Sequence, residues 1–390
     1  MGQSLGIVSS SSQVEQPQVQ SPTPPQPSQS SVDPPVESPV DPSVDPPVKS
    51  PVDPPADPVE LNATKKYRIV QIGCGVVGKA YVNAYKNVGC DVIGIEASQK
   101  LVDLYKDEMT IYHVSDDMSN IKDIDFIMIS ICTPLKEDKL DLSYLFSSIK
   151  NVAVIVKNSP NAYVIIRSTV PPTTTHRYKK ELEEVLGGPA VRNCEHNSES
   201  GGIPMGQKVN VLFQPEFLRA VSAVEDALHP WHILFGVDNG TDVTLLLDLY
   251  TRFLPMDDIT VTTIENAEFH KICHNCINAA KISITNQFHL LGQAINEKEG
   301  TNISIENIMK TLVKTCEGLK NPRYGTKPGH AYYGTCLPKD SAELASLEHK
   351  YGLSVPLFDC VVKVNNEIKK TDKEEVLNGD YHISFDKLKN

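Results

Sequence analysis

Long apolar runs are missing from this 390-residue chain. None approaches the roughly 18–20 residues a helix needs to cross a bilayer, so no membrane span is expected. Basic residues are also short: 37 Lys and Arg face 49 Asp and Glu, a formal net charge of −12. A nucleic-acid surface would be basic, so no nucleic-acid partner is expected. The N-terminus has no basic stretch followed by an apolar core, which argues against a secretory signal. "MGQSLG" carries Gly6 where an N-myristoylation signal needs Ser or Thr. Cysteine is present, but nine is an odd number, and it fits reduced thiols in a cytoplasmic compartment.

Proline is abundant and unevenly placed. Residues 1–62 hold 15 of the 28 prolines, and eight acidic residues against one lysine, so this segment carries −7 of the −12. "VDPPVESPVDPS" runs directly into "VDPPVKSPVDPP", a twelve-residue repeat. Proline at this density blocks helices and sheet ladders, and few large apolar groups are present to offset ordering entropy. Residues 1–62 are therefore expected to be a disordered acidic tail, read first as a dispensable extension and second as a spacer or a docking ligand for a partner.

At Lys65 the composition changes. "YRIVQIG", "CDVIGIE", "IDFIMISICTP", "AYVIIRSTVPP" and "VNVLFQPEF" are apolar and rich in β-branched residues, and helix-like stretches such as "VVGKAYVNAYKNV" and "SYLFSSIKNVAVIV" separate several of them. This alternation predicts an α/β fold with a parallel sheet covered on both faces. The polar stretch 191–207 reads as a surface loop. From about Thr263 to Glu299 one long proline-free helix is expected, closed by "EG". At about 1.5 Å per residue it would span about 50 Å, so it links domains or forms a dimer interface. A helix is expected after Asp340, and another over "FDCVVKVNNEIKK".

"GCGVVG" places Gly73, Gly75 and Gly78 between a strand and a helix, and Glu96 closes the next strand 18 residues after Gly78. The glycines permit a tight turn and close approach to a pyrophosphate at the helix N-terminus. The carboxylate at the second strand end suits ribose hydroxyls and disfavours a 2′-phosphate, so NAD is expected rather than NADP. This defines a Rossmann-type domain over 65–262. Thr133, Thr169 and Glu216 fall at three further strand ends, which predicts one shared crevice. In "HKICHNC", His270, Cys273, His274 and Cys276 tempt a metal reading, but no second ligand pair of matching spacing follows, so no metal is expected. Lys271 and Asn275 share a helix face, which suits either an ordinary solvated surface or stabilisation of an oxyanion.

"GCGVVG", "STVPP", "QPEFLRA", "AEFHKICHNCINAAKISITN" and "YYGTCLPKD", in that order, resemble the motifs of the UDP-glucose/GDP-mannose dehydrogenase family over about residues 65–370. The resemblance implies oxidation of the C6 alcohol of a nucleotide sugar to a carboxylate, with two NAD reduced and no free aldehyde released. It implies Cys336 as nucleophile, forming a thiohemiacetal and then a thioester. Thiolate suits both steps as a good nucleophile and leaving group. It further implies Lys271 and Asn275 as the oxygen-stabilising pair and Asp340 as the residue that positions water. Thr169 is the strand-end threonine, and Glu216 an acid/base group. Lys339, Thr133, Val77 and Lys100 are implied as cofactor contacts, Phe217 and Leu218 as sugar contacts, and Arg323 as an arginine reaching substrate across a homodimer. Residues 263–355 then carry the dimer helix and Cys336, and 356–390 the remnant of a second Rossmann-like domain that holds the nucleotide in the family.

Three departures stand out: Ala220 replaces a usual glutamate, Thr173 a usual glycine, and most of that second domain is expected to be missing. Two other readings compete. One is a catalytically impaired NAD-binding or interaction protein. The other is a related 3-hydroxy-acid dehydrogenase, which would need no cysteine.

Overall fold

The computed structural model describes residues 65–187, 209–322, 324–326, 329–334 and 336–372. The tail 1–62, the loop expected at 191–207, Arg323 and residues 373–390 lie outside the described residues.

Ten strands are formed among the described residues: β1 (Arg68–Ile72), β2 (Asp91–Glu96), β3 (Ile111–His113), β4 (Phe126–Ile129), β5 (Leu135–Lys136), β6 (Lys139–Leu140), β7 (Tyr163–Ile166), β8 (Asn210–Phe213), β9 (Ile233–Val237) and β10 (Ile259–Thr263). β5 and β6 make a separate small hairpin, and the other eight form one sheet in the order β10-β9-β8-β7-β4-β1-β2-β3. From β8 to β3 every pairing is parallel. β1 has β2 on one side and β4 on the other, so strand order reverses there and the crevice outside their carboxyl ends is a ligand position.

Alternation along each strand fills two apolar layers. On β4, Ile127 and Ile129 face a layer with Val70, Ile72, Val164 and the helices Ile149–Asn158 and Thr174–Val185. Phe126 and Met128 face the other layer, with Ile69, Ile165 and the helices Val76–Asn87 and Thr244–Tyr250. Both faces are covered, as the apolar runs require. The five apolar runs from "YRIVQIG" to "VNVLFQPEF" all contain strands.

The sheet is not wholly parallel. β9 pairs antiparallel with β8 through Phe213 and Gly236, and β10 runs parallel to β9. β9 therefore starts at the edge where β8 ended, and the connection 214–232 stays at that edge instead of crossing a face. Glu216, near its start, lines the crevice, and Trp231 and His232, at its end, line a neighbouring cavity. β10 in turn delivers the chain to the opposite edge.

There the long central helix begins, Ile264–Glu299, 36 residues. Thr263 caps it by accepting from the Asn266 N–H, and Gly300 ends it in the left-handed conformation. The helix doubles back along the sheet. Gly236 makes this possible, since a Cβ there would meet the Ala267 Cβ at 2.7 Å and the Ile264 Cα at 2.8 Å. Further on, the helices Leu337–Tyr351 and Leu357–Lys369 dock against the far part of the central helix. Gln287 donates to Glu348 at 2.7 Å and to the Val355 carbonyl at 2.8 Å, and Phe288 stacks on Phe358 at 5.7 Å.

Candidate active site

The crevice at the β1/β4 switch has a volume of about 810 Å³. It is lined by the glycine turn, the ends of β2, β4 and β7, and Glu216. Gly73 sits at φ +81°, and a Cβ on it would meet the Ser130 carbonyl oxygen at 2.5 Å. A Cβ on Gly78 would meet the Gly73 oxygen at 1.8 Å. Gly75 faces open space. It precedes the helix Val76–Asn87, which has no side-chain cap and no acidic residue in its first turn. The N–H groups and positive dipole end are left for an anionic ligand.

Glu96 is buried at the end of β2. Its Oε2 accepts from the Cys74 N–H at 2.6 Å and its Oε1 from the Ser98 N–H at 2.9 Å. The carboxylate thus braces the glycine turn and retains lone pairs for a ribose. Burial, then the nearby Glu96 charge, push the Cys74 thiol up to about 12, so this cysteine is inert near neutral pH. Val77 lines the crevice, whereas Lys100 is exposed on the next helix and does not.

The opposite wall is stitched between β4 and β7. The Thr133 hydroxyl donates to the Thr169 carbonyl at 2.8 Å, and the Ser168 hydroxyl to the Ile131 carbonyl at 2.6 Å. Arg167 is 1% exposed at the crevice floor. Its Nη1 donates to the Tyr85 hydroxyl at 2.8 Å, and its guanidinium lies 3.3 Å from the Tyr81 ring centroid. Its Nε and Nη2, and the Ser130 hydroxyl, are buried without a hydrogen-bond partner among the described residues. Unmet buried donors in a ligand crevice are groups awaiting acceptors. With the obligatory glycines and the uncapped helix end, they fit a dinucleotide.

Glu216 follows β8 and is tied into its own turn, where Oε2 accepts from the Leu218 N–H at 2.8 Å. Its Oε1 lies 3.0 Å from Lys271 Nζ, and Lys271 also donates to the Glu216 carbonyl. Both side chains are largely buried, 5% and 16% exposed. The central helix thus delivers Lys271 to Glu216, which lines the crevice. Asn275, one turn later, is exposed.

Glu268 stands one turn before Lys271 and is fully buried. It accepts from the Thr173 N–H at 2.6 Å, the Thr175 N–H at 2.7 Å and the Thr175 hydroxyl at 2.7 Å. It caps the helix Thr174–Val185 from outside and locks the central helix to the end of β7. Burial holds its carboxyl above the ordinary range, against these donors.

Cys336 stands elsewhere. It is exposed, immediately before the helix Leu337–Tyr351, with Lys339 and Asp340 paired in that helix's first turn. None of these three lines the crevice, and neither do Lys271 and Asn275. Phe217 and Leu218 line a neighbouring cavity. Among the described residues no three His, Cys, Asp or Glu side chains converge as metal ligands would. The structure therefore joins Glu216 with Lys271, and Thr133 with Thr169, and leaves the Cys336 group apart.

The sequence reasoning missed Arg167 and Glu268. An arginine inside the apolar run "AYVIIRSTVPP" was the available signal for the first. For the second it was an acid one helical turn from Lys271.

Crevice, glycine turn and central helix together define a dinucleotide-binding domain joined to a helical domain. Two family models match in sequence: the NAD binding domain of the UDP-glucose/GDP-mannose dehydrogenase family over residues 67–254, and its central domain over 265–367. The chain belongs to the UDP-glucose/GDP-mannose dehydrogenase family, and its cofactor is NAD. It is 28% identical over 255 residues to a UDP-glucose 6-dehydrogenase of Rickettsia bellii, covering 63% of this chain and 50% of that protein. It is 25% identical over 337 residues to a UDP-glucose 6-dehydrogenase of Rhizobium meliloti, covering 80% of this chain and 70% of the relative. The chain thus spans about half the length of the Rickettsia relative. The fold is similar to that of a GDP-mannose dehydrogenase from Pseudomonas aeruginosa, with a TM-score of 0.65 at 23% identity over 78% of this chain and 69% of that one.

Proposed function

We propose that this chain is an NAD-dependent nucleotide-sugar 6-dehydrogenase that takes UDP-glucose, or a similar nucleotide sugar, to its uronate. The observation that carries the reading is the buried Lys271–Glu216 pair, 3.0 Å apart, beside a crevice built for a dinucleotide. When bound, NAD supplies the hydride acceptor for each of two oxidations. Lys271 offers a fixed cation to the alkoxide and hemiacetal oxygens, with Asn275 one turn along as a further donor. The Cys336 thiolate adds to the aldehyde carbon and is later displaced from the thioester by water. Glu216 takes the proton from that water, Asp340 and Thr169 position it, and the acid leaves with Cys336 restored as thiolate.

In this reading residues 65–262 hold the cofactor, 263–355 carry the central helix and Cys336, and 356–390 begin the part that holds the nucleotide. Lys100 and Lys339 contact the cofactor, and Phe217 and Leu218 the sugar. A homodimer through the central helix is supported by exposed apolar side chains, Ile277 at 67%, Ile282 at 62% and Leu290 at 52%. Arg323 would then reach the partner's substrate. The compartment is cytoplasmic, and the Pro-rich tail is the segment that a further partner would engage.

A second reading, an NAD-binding protein without turnover, is favoured by one observation: Cys336 and Asp340 stand outside the crevice lining. NADH formation from purified protein, NAD and UDP-glucose, repeated with GDP-mannose, decides between them. Two NADH per sugar are expected. No NADH from protein that binds NAD by calorimetry sinks the dehydrogenase reading.

A further inference from the structure

At the carboxyl edge of the sheet three polar side chains stand in a row. Met128, Ile165 and Leu212 are in register on β4, β7 and β8, and Ser130, Arg167 and Gln214 follow them by two residues. The ladder carries on to this row: the Arg167 N–H donates to the Ile129 carbonyl and the Gln214 N–H to the Ile166 carbonyl, each at 2.9 Å. By strand alternation the row faces the layer that holds the helix Val76–Asn87. Among the described residues all three keep unmet groups: the Ser130 hydroxyl, Arg167 Nε and Nη2, and the Gln214 amide nitrogen. Of the three, Ser130 and Arg167 line the crevice.

Arg167 is held firmly on one side. Tyr85 takes its Nη1, and the Tyr81 ring covers a face of the guanidinium. Tyr85 in turn bonds the Tyr250 hydroxyl at 2.8 Å, and Tyr250 donates to Gln214 at 2.6 Å. Burial pushes the Tyr81 hydroxyl up to about 12 and holds Tyr85 and Tyr250 above the ordinary tyrosine range. These hydroxyls stay neutral near pH 7, so none supplies a counter-charge. The Glu216 charge acts on Arg167, but that carboxylate is bonded to Lys271 at 3.0 Å. A buried cation therefore keeps two N–H groups that only a ligand of the crevice can satisfy.

Strand order says which part of the ligand that is. Glu96 on β2 marks the adenosine ribose, and the glycine turn after β1 marks the pyrophosphate. The sheet continues from β2 through β1 and β4 to β7. Arg167 follows β7, so it stands at the nicotinamide end. The nicotinamide carboxamide has one oxygen that accepts and one NH2 that donates. Arg167 offers donors and the Ser130 hydroxyl offers lone pairs, which is the complement of an amide. We propose that Arg167 and Ser130 hold the nicotinamide carboxamide, Arg167 at its oxygen and Ser130 at its N–H. Fixing that group fixes the rotation of the ring, and with it the ring face offered to a substrate. The proposal rests on the NAD assignment and not on turnover, since a chain that only binds NAD keeps the same contact.

Calorimetry on the full chain tests it with three probes. They are NAD, ADP-ribose, which lacks the nicotinamide, and thionicotinamide adenine dinucleotide, in which sulfur replaces the carboxamide oxygen. The parent should bind NAD at least about tenfold more tightly than either of the others. Arg167→Met should lose most of that preference while its ADP-ribose affinity stays within about threefold of the parent's. Ser130→Ala should reduce the preference by about threefold, and an unchanged preference removes Ser130 from the contact. The proposal is overturned if Arg167→Met weakens NAD and ADP-ribose equally, which gives the arginine to the pyrophosphate or to the fold. It is also overturned if Arg167→Met prefers NAD as strongly as the parent. Should Arg167→Met fail to fold, the parent decides alone: equal affinity for NAD and the thio analogue overturns the proposal, and the tenfold gap supports it. A protein that makes no NADH yet shows the carboxamide preference would lose the dehydrogenase reading and keep this one.

Discussion

Replacing Glu268 by alanine should destabilise the protein by about 3 kcal/mol. The carboxylate is fully buried and serves three donors: two backbone N–H groups and the Thr175 hydroxyl. Each buried donor left without a partner costs roughly 1–3 kcal/mol. Two effects reduce the total: Thr173 is exposed, so its N–H can turn to water, and the hydroxyl can rotate. The helix Thr174–Val185 has no side-chain cap of its own and no acid in its first turn, so no neighbouring group takes over these N–H bonds. Relief from burying a carboxylate offsets part of this. At roughly 2.1 cal/mol/K of unfolding entropy per residue, a folded part larger than about 250 residues loses roughly 1.5–2 °C of melting temperature per kcal/mol, so a drop of about 4–6 °C is expected. Circular dichroism on heating measures it. Glu268→Gln keeps the shape but turns one acceptor into a donor, and should lose about half as much. The pH dependence supplies a second check. The native carboxyl sits above its unfolded value, so the folded state holds a proton that the unfolded state has released. Stability should therefore fall as pH rises from the unfolded value through the folded one, then level off. Glu268→Gln should remove that slope. A drop of under about 2 °C in Glu268→Ala would refute the capping argument.

Thr173 sits at φ +76°, where a β-branched residue is strained. Thr173→Gly should stabilise by about 0.5–1 kcal/mol in chemical denaturation, the relief exceeding glycine's entropy cost. Gly78→Ala must push the Gly73 carbonyl out of the turn, because its Cβ would land 1.8 Å from that oxygen. NAD affinity by calorimetry should fall by at least about tenfold, roughly 1.4 kcal/mol. Cys336→Ser should abolish uronate formation, and full retention of activity would rule out the covalent route.

The doubly covered sheet was legible because buried strands leave apolar runs that glycine and proline bound. The antiparallel β8–β9 step was not, since strand direction depends on where a connection lies and not on strand composition. Gly73 and Gly78 were legible because their need for missing Cβ atoms is local. The Lys271–Glu216 pair was visible only as two separate motifs; 55 residues of chain separate its members, and fold geometry alone closes the gap. Glu268 escaped notice because a carboxylate on a helix reads as solvated until the helix it caps is known. Cys336 stands out in its loop, yet its place relative to the crevice depends on docking between helices, which no local pattern encodes.

β10 and the central helix share Thr263, which ends one and caps the other. No slack residue separates the sheet from a rod of 36 residues, about 54 Å long at about 1.5 Å per residue. Such a rod is a lever with its fulcrum in the sheet. A tilt of about one degree at Thr263 moves the far end by about 1 Å, while Lys271, eight residues out, moves about a fifth as far. The helices docked on the far arm, including the one that Cys336 precedes, therefore amplify small rotations that the Lys271–Glu216 contact barely registers.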